Sequence, residues 1–412
     1  MLYLKKAELV ETYHISDKTV TNWIREAKDG KLNLELHEEH GRAWIVNTTR
    51  NIELIKQLVE KRKKFRNSRG LKTITPKPEF YKLYNQQQIF DLTSSLDIYH
   101  EIPLDYAYFD GGADYWDEYA QRLASEKVPN FLTSTIKQLK ANQGYIDDLT
   151  SRFKQVNIVD IGPGNVLPVK ELLEHLLDQG KLGRYIALDI SPSVLKITER
   201  NIKDWFGSKV SFESHEIDIN YDRFTSLLAE DALGEGAKDV VNVVLALGGG
   251  FSNLRSPDDA FKTIRSSMNR QDLLVYNLKL DTKTSRQYFD LGIRPGSTPL
   301  DAHKKMLVDL LNIDESLYEV EVGYDDQLRE RYMHLRLKVA LEITFSLDKG
   351  DRIIEFNKND TILVWRYWHQ NAQEVMTQLA YNNFDVMQTS QTEDKDYLLT
   401  VSRVKCDQIE RI

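Results

Sequence analysis

Between residues 157 and 280, short apolar runs alternate with longer segments whose apolar residues recur every three or four positions. The runs lie at 157–161, 185–189, 210–217, 240–247 and 273–280. Continuous apolar runs suit strands covered on both faces, and the intervening periodicity suits helices packed on them. After the first run, Leu167, Val169, Leu172, Leu173, Leu176 and Leu177 share one face of a helix over 166–179. After the second, Ser191 reads as an N-cap and Pro192 as the first position of a helix reaching 206. This alternation predicts a Rossmann-like α/β fold, with a parallel sheet that takes its ligand at the carboxyl edge of the strands.

The flanks read differently. Ala7, Leu9 and Val10 mark a short helix over 5–13, His14-Ile15-Ser16 a turn, and Val20, Trp23 and Ile24 the inner face of a helix over 18–27 capped by Ser16 or Asp17. Strands at 32–36 and 43–46 flank Glu38-Glu39-His40-Gly41 as a hairpin, and a helix over 51–65 ends in Lys61-Arg62-Lys63-Lys64. Residues 67–78, with Ser68, Gly70, Pro76 and Pro78, read as a linker, and 81–99 as a polar helical arm. Beyond 280, strands are expected at 335–345, 352–356 and 362–368, a helix at 372–382, and a closing antiparallel pair at 384–389 and 397–404. The division is a head over 1–67, a linker and arm over 68–100, and a large domain over 101–412 with an insertion at 281–336.

Charge sharpens that division. Residues 1–70 carry 15 basic and 10 acidic side chains, and the remainder 40 and 53. A basic head on an acidic body suggests separate tasks, and the body is not built to lie along a phosphate backbone. At 29% charged and 41% hydrophobic the composition is that of an ordinary soluble protein. No apolar run reaches membrane-spanning length, no signal-peptide core follows Met1, and the single cysteine, Cys406, excludes an internal disulfide or a cysteine-rich zinc site. No metal motif stands out. A cytoplasmic location is the expectation.

The chemistry clusters at the ends of the apolar runs. Asp160-Ile161-Gly162-Pro163-Gly164 is a strand end followed by a glycine turn, which lets a backbone approach a ligand closely. Asp189 ends the second run, Asp218-Ile219 the third, and Gly248-Gly249-Gly250 follows the fourth. These segments, with Tyr108-Phe109-Asp110-Gly111-Gly112-Ala113 upstream and Gly250-Phe251-Ser252-Asn253-Leu254 after the fourth strand, resemble S-adenosylmethionine-dependent methyltransferases, and more narrowly the histidine N-alpha-methyltransferases of ergothioneine synthesis. The resemblance covers about 102–404 and implies S-adenosyl-L-methionine as cofactor. It implies that Asp160, Gly162, Gly164, Asp189, Ser191, Asp218, Ile219 and Gly248 bind it, with Asp189 on the ribose and Asp218 on the adenine amine. It also implies that Tyr108 and Asn253 serve catalysis by holding an amine substrate and that Tyr288, in the insertion, contacts it. The resemblance departs at residues 362–368. There the family carries a Thr-Glu-Asn-Ser-Tyr pattern whose glutamate and serine bind the imidazole, and here Trp365 and Tyr367 stand in those places. An aromatic lining suits a methylated ammonium or a flat base, and the same residues also read as strand core.

The head resembles the winged helix-turn-helix of the MerR and excisionase families. That resemblance implies a DNA-reading second helix with Lys18, Thr19, Thr21, Asn22 and Arg25 outward, and a homodimer. The region after the fourth strand holds glycines and no Asn-Pro-Pro-Tyr segment, so a DNA-modifying enzyme is not implied. N-methylation of a small amine or amino acid is the first reading. The second is a DNA-binding regulator whose methyltransferase-like body senses S-adenosylmethionine or another ligand.

Overall fold

The computed structural model describes the chain apart from residues 1–2, 14, 16, 40–41, 69, 127–128, 229–238, 284–299, 349 and 406–412, and apart from the side chains of 62–68. Two compact units emerge: Met1–Ile102 with Lys305–Glu321 and Met333–Val364, and Pro103–Lys304 with Val322–Tyr332 and Trp365–Ile412. The large domain expected over 101–412 is therefore interrupted, because two of its later segments pack with the N-terminal residues.

In the first unit, Tyr3–Leu4 (β1), Lys6–Tyr13 (α1) and Asp17–Lys28 (α2) precede a hairpin of Leu36–Glu39 (β2) and Arg42–Val46 (β3), and Thr49–Ser68 (α3) follows. Leu9, Val20, Trp23, Ile45, Ile55 and Val59 form their core. The first hairpin strand starts later than the pattern suggested. The buried Asn51 side chain accepts the Glu35 N–H and donates to the Glu35 and Val46 carbonyls, so Glu35 ties to a helix side chain before the ladder begins. Glu38 and Glu39, expected in the turn, pair with Ala43 and Arg42 inside the hairpin. The turn residues His40 and Gly41, and the expected cap Ser16, lie outside the described residues. Thr19 corrects the helix-face assignment. It is 1% exposed and packs inward beside Val20 and Trp23, whereas Lys18, Thr21 and Arg25 are exposed and Asn22 is half-buried.

The expected linker holds a strand. Lys72–Ile74 (β4) pairs in parallel with Leu341–Phe345, whose other neighbour is Arg352–Phe356. Only Ile74 of the three is buried, so an edge strand with two exposed polar residues carried no apolar run to reveal it. The arm is two helices, Phe80–Leu83 (α4) and Gln86–Tyr99 (α5), divided where Asn85 and Gln88 form a reciprocal capping box. The single strand expected at 335–345 is likewise two, Glu330–Leu337 and Leu341–Phe345.

The second unit opens with Gly111–Ser125 (α6) and Phe131–Thr150 (α7). Its strands are Gln155–Ile161 (β5), Leu182–Asp189 (β6), Ser211–Glu216 (β7), Val240–Ala246 (β8) and Leu273–Lys279 (β9), with Lys170–Asp178 (α8) and Pro192–Phe206 (α9) between the first three. Among the described residues seven strands form one sheet, in the order Phe384–Gln391, Tyr397–Val404, β9, β8, β5, β6, β7. β5 to β9 are parallel, and the last two strands of the chain are antiparallel. Both faces are covered. Ile158, Tyr185, Ala187, Val243 and Leu245 pack with α7, α8 and α9 on one side, while Val159, Ile186, Leu188, Val244 and Ala246 pack with Phe261 and Ile264 on the other. That two-sided burial is why these strands read as unbroken apolar runs. The chain moves outward from β5 to β7 and then returns to β8, so the β5–β8 boundary is a topological switch point, where such folds place a ligand. Among the described residues no helix is long and apolar enough to cross a membrane.

Candidate active site

The glycine turn after β5 is held from three directions. Gly162 and Gly164 adopt φ of +66° and +56°, a region costly for a residue with a Cβ. The Gly162 N–H donates to the Leu188 carbonyl at 2.8 Å, and Thr198 Oγ1 donates to the Gly164 carbonyl at 2.9 Å. Asn201 donates to the Asn165 carbonyl at 3.0 Å. The Asn165 amide donates in turn to the buried Asp117, which Arg200 also meets at 2.7 Å. A Cβ on Gly164 would stand 3.1 Å from Trp116 Nε1, while one on Gly162 would meet open space. The first glycine therefore serves backbone geometry and the second serves close packing as well.

Over this turn lies a cavity of about 510 Å³. Asp160, Gly162, Gly164, Asp189, Asp218, Ile219 and Gly248 all line it. Burial pushes the Asp189 carboxyl up to about 7, against the pull of the Ser191 and Ile190 N–H groups; the Ser191 N–H donates to it at 2.8 Å. Burial also pushes Asp160 up to about 7, while the Tyr185 hydroxyl, donating to it at 2.8 Å, pulls the other way. Asp218 accepts the backbone and side-chain N–H groups of Asn220 at 2.9 Å each. Ser191 departs from expectation. It is absent from the cavity wall, caps α9 through the Val194 N–H, and donates to the Tyr108 carbonyl at 2.7 Å. Its side chain thereby joins the α9 cap to the Tyr108 loop. Lys170, at the start of α8, stacks over Trp205 and pairs with Glu174.

Tyr108, Asn253, Trp365 and Tyr367 line the same cavity. Tyr108 sits just before Asp110, whose φ of +47° and ψ of −127° are strained for a non-glycine residue. The Asp110 N–H donates to Ser193 Oγ at 3.0 Å, so α9 pins this loop at two points. The Tyr108 ring meets Trp116 edge-on and stacks on His303 at 5.8 Å. Burial raises its phenol pKa well above the ordinary value. Asn253 closes the short helix Gly250–Asn253 and does not cap the next one; its Oδ1 is buried with no hydrogen-bond partner among the described residues. Trp365 and Tyr367 stack at 6.3 Å, and Tyr367 Cε2 lies 3.7 Å from where a Cβ on Gly249 would be. Tyr288 lies outside the described residues.

Several wall residues carried no motif. His303 is sandwiched between Tyr108 and Tyr115, and burial and the neighbouring Lys304 lower its pKa to about 4. Lys304 pairs with Asp301. Lys279 ends β9, and a basic strand end among acidic ones was a readable signal.

The donor set fits S-adenosylmethionine. An acid at the end of β6 suits vicinal hydroxyls, and an acid after β7 suits an amino group. Open-backbone glycines leave room between them, and an amide oxygen that is buried without a partner among the described residues belongs to the same cavity wall.

Among solved structures, the chain is similar to an S-adenosylmethionine-dependent methyltransferase from Clostridium acetobutylicum ATCC 824. The identity is 9%, the TM-score 0.38, and the match covers 71% of this chain and 99% of that one. It is similar to the CcbJ methyltransferase from Streptomyces caelestis at 11% identity and TM-score 0.37, over 71% and 98% of the two chains. It is also similar to the glycopeptide N-methyltransferase MtfA complexed with S-adenosyl-L-methionine, at 12% identity and TM-score 0.32, over 64% and 87%. No curated protein matches the chain. The model of the histidine-specific, S-adenosylmethionine-dependent methyltransferases matches residues 95–404, and the chain belongs to that family.

Proposed function

We propose that the enzyme methylates the nitrogen of a small amine or amino acid, held between Tyr108, Asn253 and the Trp365–Tyr367 wall. The observation that carries this is the buried Asn253 Oδ1, an acceptor without a partner among the described residues, in the cavity that also holds Asp189 and Asp218. Leaving such an oxygen unpaired costs about 1–3 kcal/mol, and an amine N–H would relieve that cost. The cofactor supplies a methyl group activated on a sulfonium. The protein's part is alignment: Asn253 accepts an N–H and so directs the nitrogen lone pair, and Tyr108, which keeps its phenol proton, orients the acceptor. The test is a mass-spectrometric screen of amines and amino acids, histidine included, for gain of a methyl group with S-adenosylmethionine. Turnover of any amine supports the reading, and turnover only of hydroxyl or carbon acceptors overturns it.

The head enters the proposal as a winged helix-turn-helix that binds double-stranded DNA or pairs two chains. Its support is the two helices followed by a hairpin, with Lys18, Thr21 and Arg25 exposed along α2. Fluorescence anisotropy with duplex DNA across a salt series tests the first role, since phosphate contacts weaken steeply with salt. Light scattering tests the second. A chain that binds DNA and S-adenosylmethionine yet transfers no methyl group would favour the regulator reading.

A further inference from the structure

The turn after β5 runs on into a residue that does not suit its backbone. After Gly162 and Gly164, Val166 also has positive φ, at +66° with ψ of −5°. Among the described residues it is the one β-branched side chain at positive φ. A glycine takes that conformation freely. A valine crowds its own backbone there, and such a residue persists only where its surroundings over-determine it. The side chain has a reason to stay, since it is fully buried in the core beside Val169 and Leu172. The strained backbone must therefore be held by other groups.

Those groups converge on Asn165. Its Oδ1 accepts the Leu167 N–H at 3.3 Å, so its side chain spans Val166. Its carbonyl accepts the Asn201 amide at 3.0 Å, and the Val166 N–H donates to the Pro163 carbonyl at 3.0 Å. The Asn165 amide is anchored in turn, donating to Asp117 Oδ1 at 3.0 Å. Asp117 comes from α6, 48 residues earlier, and is 7% exposed. Its Oδ1 also accepts Gln121 at 3.0 Å, one turn along the same helix, and its Oδ2 accepts Arg200 of α9 at 2.7 Å. Asn165 belongs to the cavity wall, and Asp117 stands behind it.

We propose that Asp117 is a positioning residue for the cofactor: it anchors the Asn165 side chain that keeps Val166 at positive φ, and so keeps the glycine turn in the shape that admits S-adenosylmethionine. This rests on the reading of that turn as the cofactor's seat. Asp117 acts through Asn165 and the backbone. The bond to Asn165 needs an acceptor oxygen there and no charge. The Arg200 side chain is 53% exposed, and an ion pair so open to water contributes little.

The test is calorimetric titration of the full chain with S-adenosylmethionine. Asp117→Ala should raise the dissociation constant at least five-fold. Asp117→Asn, whose amide oxygen can still accept from Asn165, and Arg200→Gln should each stay below five-fold. Asn165→Ala should match Asp117→Ala, and the double variant should bind within two-fold of the weaker single one, because both remove the same link. Val166→Gly relieves the strain. In that background Asp117→Ala should cost less than two-fold. The same glycine empties core volume and lowers the melting temperature, so a purely structural role for Asp117 predicts a worse double variant and not a rescued one. Should the glycine variant not fold, the Asp117–Asn165 pair decides alone. An Asp117→Ala constant within five-fold of wild type overturns the proposal. So do multiplying losses in the Asp117–Asn165 pair, a loss in Asp117→Asn equal to that in Asp117→Ala, or no rescue by Val166→Gly. Failure of the wild type to bind S-adenosylmethionine would instead strike the reading of the turn.

Discussion

The two halves of the cavity are assembled by opposite means. The cofactor half draws its groups from consecutive strand ends: the glycine turn after β5, Asp189 on β6 and Asp218 after β7. Asp189 ends its strand and the other two follow theirs within two residues, and the backbone of the turn is fixed by hydrogen bonds to the Leu188 carbonyl and from Thr198 and Asn201. The half proposed for the acceptor gathers Tyr108, Asn253, Lys279, His303, Trp365 and Tyr397 from segments separated by up to hundreds of residues. It is held by ring stacking and side-chain bonds. The first construction preserves one ligand through fixed backbone geometry. The second lets single side chains change the acceptor while the sheet stays as it is.

That contrast can be broken by substitution. The largest effect is expected for Asp189→Ala, which removes a charged acceptor and should raise the dissociation constant for S-adenosylmethionine by about 100-fold, on the order of 3 kcal/mol. A calorimetric affinity within five-fold of wild type would mean that the cofactor half is not organised around this acid. Next is Asn253→Ala. With whichever amine turns over, kcat/KM should fall by roughly 10- to 100-fold, as for loss of an aligning hydrogen bond, while cofactor affinity moves less than two-fold. A matching loss in both would show that the halves are not separable.

Gly164→Ala comes third. Positive φ and the 3.1 Å approach of Trp116 Nε1 to the new Cβ should lower stability by about 1–2 kcal/mol, read from urea unfolding. Gly162→Ala carries only the φ term and should cost less.

The smallest effect concerns pH. Asp160 has a folded-state pKa raised to about 7, above its ordinary value of 3.8. Between those values the folded protein holds a proton that the unfolded chain has lost, so its contribution to stability falls as pH rises through that window. Asp189 acts in the same sense. Asp160→Asn should flatten the decline in melting temperature from pH 5 to 7 relative to wild type. An equal slope in both proteins would show that Asp160 does not titrate there.

The local sequence was sufficient for the parallel strands and the glycine turn. A strand buried on both faces must be apolar throughout, and a turn at positive φ calls for glycine, so Val159, Ile186, Gly162 and Gly164 announce their surroundings from their own identities. Asp189, the last residue of its strand, and Asp218, two residues past its own, are placed by the same local units. Elsewhere the identity of a residue did not reveal its neighbours. Thr19 looked outward by helical spacing and is buried, because the packing of α2 turns a wider face inward than its apolar residues mark. Lys72–Ile74 looked like linker and is a strand, because its partner lies at Leu341–Phe345. Ser191 looked like a cofactor ligand, and its hydroxyl bonds to a loop 83 residues away. His303 is unremarkable in sequence and Lys279 marks itself only as a basic strand end among acidic ones; they join one cavity wall through the stack on Tyr108 and the cross-strand pairing with Tyr397. The sequence by itself determined what depends on contacts within one strand–turn–helix unit. The tertiary structure decided which distant side chains meet across the cavity, since that depends on long-range packing that no local pattern encodes.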